Sequence, residues 1–412
     1  MPSFSELASH RSISKYRDYQ EMFKLQDPFF QVHEQRSGAE AMIGGRGYAN
    51  FASYDYLGLN QHPEVGAAAI AAIKKFGTSV SASRLVAGER PVHRELEAEL
   101  SQFYDTEDAL VYVSGHATNV SAISTIVGPK DIVFYDEFIH NSATTGAKLS
   151  GAKMVSFVHN DPADLESKLA LYREDHKFAL ILIEGLYSMD GDVPDLARFI
   201  EIKQRFGAWL MVDEAHGLGV LGETGHGIAE HSGVDPNEVD IWMGTLSKTL
   251  SSCGGYIAGR RELIDVLKYQ SPGFVYSVGM PAPATAAAVK SLEILQRSPE
   301  RVARVQENGR YFLAQCKEHG LDTGLSEGHA VVPVIVGDAV LAIRLTDRIF
   351  KRGVNALPII YPAVPLKSDR VRFFITSEHT QEQLSYAARV TREELDRLAG
   401  KGSHEKRLRP AG

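Results

Sequence analysis

Cysteine is scarce in this chain: Cys253 and Cys316 are the only two among 412 residues. They are far apart and in no metal-type spacing, which excludes a disulfide framework or a cysteine-based zinc site as the organising device. Reduced thiols and a cytoplasmic setting are expected, and no metal is. Long apolar runs are also missing. None approaches the roughly 20 residues that span a bilayer, and the opening MPSFSELASHRSISKYRDYQ lacks the apolar stretch of a secretory signal. Basic charge is in deficit: 44 Lys and Arg against 52 Asp and Glu give a net charge of −8, which argues against a nucleic-acid face. No internal repeat is visible. No G-x-x-x-x-G-K-[ST] loop is present either, so the DEAH run at 213–216 is not that of a helicase. Gly217, Gly219 and Gly222 match G-x-G-x-x-G, but the following ETGHG cannot open the helix that a dinucleotide site needs.

What remains is an ordinary globular composition, 44% apolar and 23% charged, in a chain long enough for a large domain plus a smaller one. A polar helical stretch in the first fifty residues leads to GGRGY, a turn-rich break. PEVGAAAIAAIKKF and PVHRELEAELSQFY read as amphipathic helices. Short apolar runs follow at 109–113, 131–135, 153–157, 178–184, 208–214, 240–244 and 255–259, most a helix-length apart. Buried strands separated by helices predict an α/β fold with a mostly parallel sheet covered on both faces. After Pro283 the rhythm changes. A long helical stretch over about 284–319, then VVPVIV, a helix over 338–352, RFFIT and a closing helix near 380–398 predict a smaller α+β C-terminal domain. The expected division is 1–55 as an N-terminal segment, 56–290 as the large domain, 291–398 as the small domain and 399–412 as a disordered tail.

Two strand ends carry the chemistry. AWLMVDEAH places Asp213 at the C-terminal end of a buried strand, where open parallel sheets bind ligands. About 35 residues on, DIWMG ends in TLSKT, which puts Lys248 at the edge of a later strand among small neighbours. A lysine to form an imine and a carboxylate to keep a pyridine nitrogen protonated are the requirements of pyridoxal phosphate (PLP). A surface lysine and a helix-capping aspartate are the plain alternatives for each residue alone. Their occurrence together on successive strand ends disfavours that reading. The cofactor's phosphate needs donors, and ALVYV followed by SGHATN supplies a strand, a glycine and a helix start. Ser114, Gly115 and His116 lie there, and Thr245 adds a hydroxyl. His140, past the next strand, either stacks on the ring or is a satisfied core histidine, and the residues around it favour stacking. Ser188 and His216 are placed to donate to its phenolic oxygen.

These motifs resemble the α-oxoamine synthases, a branch of fold-type I PLP-dependent transferases. The likeness runs from about residue 48 to 398 and rests on NFASYDYLGLNQHP, SASRLVAGERPVHRELE, SGHATN, EGLYSMDGD, VDEAHGLGVLG, GTLSKTLSSCGGYIAG and VRFFITSEHT. The resemblance implies that Lys248 is the Schiff-base lysine and Asp213 the pyridine partner. It implies that His140 stacks on the ring, that His216 and Ser188 hold the phenolic oxygen, and that Thr245 holds the phosphate. Arg372 would take the amino acid carboxylate, a use suited to a planar two-pronged donor, with Arg370 on the same strand face as the next candidate.

Some positions depart from the family pattern. Tyr54 stands where several members have Asn and the serine palmitoyltransferases have Tyr, and it is assigned to the substrate side. His116 replaces an aromatic, and Ala82 a glycine. Val278 and Gly279 replace hydroxyl residues in a loop, 276–280, that usually reaches a neighbouring subunit. GTSVSASRLVAGERPVHRELE, GFVYSVG and YPAVP look most like oxoamine synthase domains found beside polyketide or fatty-acid modules.

The implied reaction is a decarboxylative condensation of an amino acid with an acyl thioester, carried by coenzyme A or an acyl carrier protein, in a homodimer. Lys248, freed from the cofactor, would act as the base. Two other readings share these residues: an aminotransferase of the same fold, and a non-catalytic partner subunit of a synthase complex. An inactive subunit would have no need of Lys248.

Overall fold

A computed structural model describes residues 4, 21–23, 25 and 27–406 of the protein, the last six as backbone alone. The polar helical stretch expected near the N-terminus lies largely outside the described residues, as do residues 407–412 of the tail.

The first strand pair forms at a sequence that reads as a break. Strands β1 (Glu40–Ile43) and β2 (Arg46–Asn50) pair antiparallel, with Ile43 opposite Arg46. Gly44 and Gly45 between them have φ of 57° and 70°. A two-residue turn with both central φ values positive matches the twist of a hairpin, and glycine adopts it without strain. GGRGY is therefore a hairpin turn.

Seven apolar runs become one sheet: β3 (Asp108–Tyr112), β4 (Ile132–Asp136), β5 (Lys153–Phe157), β6 (Ala179–Glu184), β7 (Trp209–Asp213), β8 (Ile241–Thr245) and β9 (Gly255–Gly259). The order is β3-β9-β8-β7-β6-β4-β5. The pairs from β8 through β5 are parallel, and helices such as Gly115–Ile126 and Leu196–Phe206 cover the faces. Every residue of β6, β8 and β9 is buried, the signature of strands covered on both sides. Strand β9 runs antiparallel to both neighbours. The connection from β8 to β9, residues 246–254, is too short for a parallel crossover, which needs a dozen or more residues. Lys248 sits in that tight return.

Beyond β9 the chain builds the second unit. The helical stretch expected over 284–319 is two helices, Ala282–Arg297 and Pro299–Glu318. The break falls at Ser298, with φ −128° and ψ 58°. A residue before proline is driven out of the helical region, and Pro299 starts the next helix where no N–H is needed. Strands β10 (Val331–Ile335), β11 (Val354–Asn355), β12 (Leu357–Ile359) and β13 (Arg370–Phe374) follow. Strands β10, β13 and β12 form an antiparallel sheet, and helices Ala339–Lys351 and Gln381–Lys406 complete the unit. The last helix continues past residue 398 into the segment expected to be a disordered tail.

Residues 46–51 belong spatially to this second unit. Strand β2 pairs parallel with β11. Phe51 packs on Phe312 and Phe373 in a core separate from the large one. Residues 52–56 then cross from the small unit into the cavity at the strand ends of the large sheet. Among the described residues, no helix is long and apolar enough to cross a membrane.

Candidate active site

Parallel strands all deliver their C-terminal ends to the same edge of a sheet, so the residues that follow them converge. Strand β4 leads to His140, β6 ends on Glu184 before Ser188, β7 ends on Asp213, and β8 ends on Thr245 before Lys248. All of these side chains line one cavity of about 360 Å³, together with Ser114, Gly115, His116, His216, Tyr54 and Arg372. Every residue singled out in the sequence as a site residue is present except the alternate candidate Arg370.

Lys248 is the cation at the centre. Burial pushes its amine down to about 8, against the attraction of Asp213 and Glu184 and with help from Arg372. Asp213 is buried and anchored at both oxygens. Oδ2 accepts from Asn119 Nδ2 at 2.9 Å, and Oδ1 from the Ala215 amide at 3.0 Å. Asn119 also donates to Ser142 Oγ at 2.9 Å, and Ser142 Oγ lies 2.7 Å from His140 Nδ1. A polar chain thus runs from Asp213 to the His140 ring, which opens onto the cavity.

Glu184 ties two loops to the sheet. Its carboxylate oxygens accept from the His140 amide at 2.8 Å and the Ser188 amide at 3.1 Å. Burial first, then Asp213, pushes its carboxyl well above the usual range. His216 is held as a neutral ring: burial lowers it well below 6.5, and Lys248 and Arg372 lower it further. Its Nδ1 lies 2.6 Å from the hydroxyl of buried Tyr56. Burial holds Tyr56 well above 10, so it keeps its proton and donates to Nδ1. The imidazole proton is then on Nε2, free to donate.

The two arginines of β13 share a face but not a situation. Arg370 is spent internally: Nη1 reaches Asp190 Oδ1 at 2.7 Å and the Met189 carbonyl at 2.9 Å, and Nε reaches the Ser368 carbonyl. Arg372 lines the cavity. Its Nη1 donates to the Ser188 carbonyl at 2.9 Å, its guanidinium lies 4.4 Å from the Phe374 ring centroid, and its Nε is buried without a partner. A buried donor left open beside a cavity calls for an acceptor from outside the chain. Tyr54 stands edge-on to Phe374 with its ring centroid 5.8 Å from Lys248 Nζ. It lines both this cavity and a wider opening that leads outward past Phe29, Asp55 and Ser251.

The cavity fits PLP by its donor set. The helix Gly115–Ile126 points its N-terminus at the cavity. Ser114 Oγ caps Ala117, whereas the Gly115 and His116 amides have no partner among the described residues. A side chain at 115 would press to 2.9 Å from Thr245 Oγ1, and one at 255 to 2.7 Å from Gly115 Cα, so glycine at both keeps the helix start close to the strand ends. Free amides and the helix dipole make an anion cradle. Thr245 Oγ1 donates to the Gly254 carbonyl and lies 2.8 Å from Ser247 Oγ, so Ser247 joins the hydroxyls at the cradle.

Several site residues escaped the sequence reading. Glu184 ends a run quoted only as a strand, Asn119 sits inside SGHATN, and Tyr56 sits inside SYDYLGL. The signal for Glu184 was a carboxylate closing a strand that is otherwise wholly apolar. Glu214 of DEAH is structural. It is buried, its Oε1 accepts from the Ile228 amide at 2.7 Å, and glycines 185, 217 and 227 leave room for its carboxyl. No helix opens at Gly217–Gly222, consistent with a chance G-x-G-x-x-G match.

Known proteins share this architecture. The aminotransferase class I and II family pattern matches residues 46–390. The 8-amino-7-oxononanoate synthase of Thermoanaerobacter pseudethanolicus is 37% identical over 359 residues, covering 87% of this chain and 90% of that protein. A 4-hydroxy-2,2'-bipyrrole-5-methanol synthase of a Serratia species is 36% identical over 348 residues, 84% of this chain but 53% of that longer protein. Among solved structures, a serine palmitoyltransferase from S. paucimobilis with a bound PLP–myriocin aldimine superposes with a TM-score of 0.91 at 27% identity, covering 97% of this chain and 100% of that one. The chain therefore belongs to the aminotransferase class I and II family and, within it, to the α-oxoamine synthases, PLP-dependent enzymes that condense an amino acid with an acyl thioester and release CO₂.

Proposed function

We propose that this protein joins the Cα of an amino acid to the acyl carbon of an acyl thioester, with the roles of its residues set by the cavity just described. The overall balance is amino acid plus acyl thioester giving α-amino ketone, CO₂ and free thiol. The observation that carries the reading is one cavity that holds a buried amine, a buried anchored carboxylate, an anion cradle and a guanidinium with a free donor. PLP bound there supplies the electron sink that makes the Cα proton acidic.

The chain's own groups do the rest. Lys248 Nζ would hold the cofactor and would take the Cα proton; an amine near 8 is matched to that work. Asp213, held by Asn119 and the Ala215 amide, would keep the pyridine nitrogen protonated. His216 Nε2–H and Ser188 would donate to the phenolic oxygen. Ser114, Gly115, His116 and Thr245 would hold the phosphate. His140 would cover the ring. Arg372 receives the amino acid carboxylate, and Tyr54 guards the passage by which the thioester arrives. Arg370, paired with Asp190, is a bracing residue rather than a second carboxylate site. The carrier is coenzyme A or an acyl carrier protein, and the setting is cytoplasmic. An aminotransferase reading draws on the same cofactor groups and is separated by its keto acid product.

A panel of amino acids and acyl thioesters, followed by mass spectrometry of products, tests the reaction. The expected result is an α-amino ketone with equimolar thiol and CO₂; a keto acid without thiol release would assign aminotransfer instead.

A C₂ homodimer is proposed as the working unit. Its support is an apolar patch, unusual for a free surface, on two adjoining loops: Val86 is 80% and Tyr276 86% exposed, beside Leu85 and Val278. The loops are joined by the Gly279 amide bonding to the Ala82 carbonyl at 3.0 Å. Light scattering of an active sample should give twice the chain mass, and a single-chain mass in an active sample rules the dimer out.

Cofactor uptake should report the charge balance at Lys248. Only the neutral amine attacks a carbonyl, so the uptake rate should rise with pH and level off above about 8, where an ordinary lysine would carry the rise on towards 10.5. Asp213 raises the lysine, so Asp213→Asn should move this curve to lower pH. The same substitution loses a charge-assisted contact of about 1.5–3 kcal/mol and should slow turnover roughly ten- to a hundredfold. A curve that still climbs above pH 10, or a variant with unaltered turnover, contradicts the pairing.

A further inference from the structure

The turn formed by residues 187–192 shows Ser188 and Met189 to the reaction cavity, and a histidine remote from the chemistry holds it from behind. His159 follows β5, and its side chain is buried at 6% exposure. Nδ1 lies 2.9 Å from Asp136 Oδ1, at the end of β4, and Nε2 lies 2.9 Å from Asp192 Oδ2, in the turn. A neutral imidazole has one N–H, and two carboxylate contacts of this length call for a proton on each nitrogen. Burial lowers the ring's pKa, but the hydrogen bonds it donates to Asp136 and Asp192 outweigh it and bring it to about 10. Phe138 stacks on the ring at 4.4 Å, and Tyr187 meets it edge-on at 4.5 Å.

Both ends of this clamp are fixed in turn. Asp136 Oδ2 accepts from the Tyr187 hydroxyl and the Asn160 amide, each at 2.9 Å. Asn160 Nδ2 donates to Asp192, and the Glu137 carboxylate accepts from the His159 amide at 3.1 Å. Within the turn, the Tyr187 amide bonds the Asp192 carbonyl at 3.0 Å, and the Gly191 amide bonds the Tyr187 carbonyl at 2.9 Å. On the far side, Gly191 packs so closely on the Val331 carbonyl of β10 that a Cβ would lie 2.1 Å away. The turn is therefore wedged between the two units. Among the groups it offers to the small unit are the Ser188 carbonyl, which accepts from Arg372, the Met189 carbonyl, which accepts from Arg370, and Asp190, which pairs with Arg370.

We propose that His159 is a positioning residue for amino acid binding: by tying Asp136 to Asp192 it fixes the turn at 187–192, and the Ser188 carbonyl in that turn aims the Arg372 guanidinium into the cavity. The proposal rests on Arg372 as the carboxylate partner. His159 is not among the residues that line the cavity, and it acts on amino acid binding through the turn and the Arg372 contact that the turn makes.

The test uses holoenzyme carrying His159→Asn, the milder Asp192→Asn, Arg372→Lys, and the His159→Asn/Arg372→Lys pair. L-alanine, L-serine and glycine serve as probes, titrated against the visible spectrum of the cofactor. His159→Asn and Asp192→Asn should each weaken amino acid binding about tenfold, with PLP content normal and kcat changed much less. The pair should bind no more weakly than Arg372→Lys alone, because residues acting through one contact are not additive. Normal affinity in both folded clamp variants overturns the proposal, and so does additivity in the pair. Normal affinity in Arg372→Lys alone marks the failure of the Arg372 reading, which is seen separately from the clamp.

Discussion

A buried amine facing a buried carboxylate across one cavity is the constraint on which this structure turns. Neither charge would be stable alone away from water. Lys248 is held down to about 8 by burial and kept from falling further by Asp213 and Glu184. Asp213 is steadied by Asn119 and a backbone amide. The sheet makes the encounter possible, since β7 and β8 are parallel neighbours whose C-terminal ends open on the same edge. The short return to β9 then bends the lysine loop back over that edge instead of leading it away through a helix.

From that pair outward, the site is a set of polar groups each held by another. Glu184 fastens the loops that carry His140 and Ser188, Tyr56 orients His216, and Ser142 links His140 to Asn119. Buried polar networks rigidify when every member is satisfied. The open donors are informative for the same reason: among the described residues, Arg372 Nε and the first amides of the helix Gly115–Ile126 lack partners at the edge of the cavity. The segment 52–56 runs from the β1–β2 hairpin into the cavity, so Tyr54 and Tyr56 are part of the site.

Much of this was legible in the sequence, for physical reasons. Buried parallel strands are nearly continuous apolar runs, and all seven strands of the large sheet were visible as such. Asp213 and Lys248 stood out as charges directly after two of them. Other features were hidden by their chemistry. Asn119 and Glu184 gain meaning only from partners far along the chain, Asp213 and the amides of 140 and 188. Tyr56 reads as an ordinary core aromatic until His216 is placed beside it. The antiparallel direction of β9 is written in loop length rather than in periodicity. The hairpin at Gly44–Gly45 was concealed because the strands around it are short. Arg370 and Arg372 occupy equivalent positions on one strand face, and only Asp190, 180 residues away in sequence, distinguishes them.

The identity of the lysine is the most exposed part of this account. Reduction of the holoenzyme with borohydride, followed by peptide mapping, fixes a phosphopyridoxyl group to whichever amine carries the cofactor. The structure predicts one label per chain, on the peptide containing Lys248. A label on any other lysine, or none in a protein that contains PLP, would contradict the placement of the cofactor and the chemistry built on it.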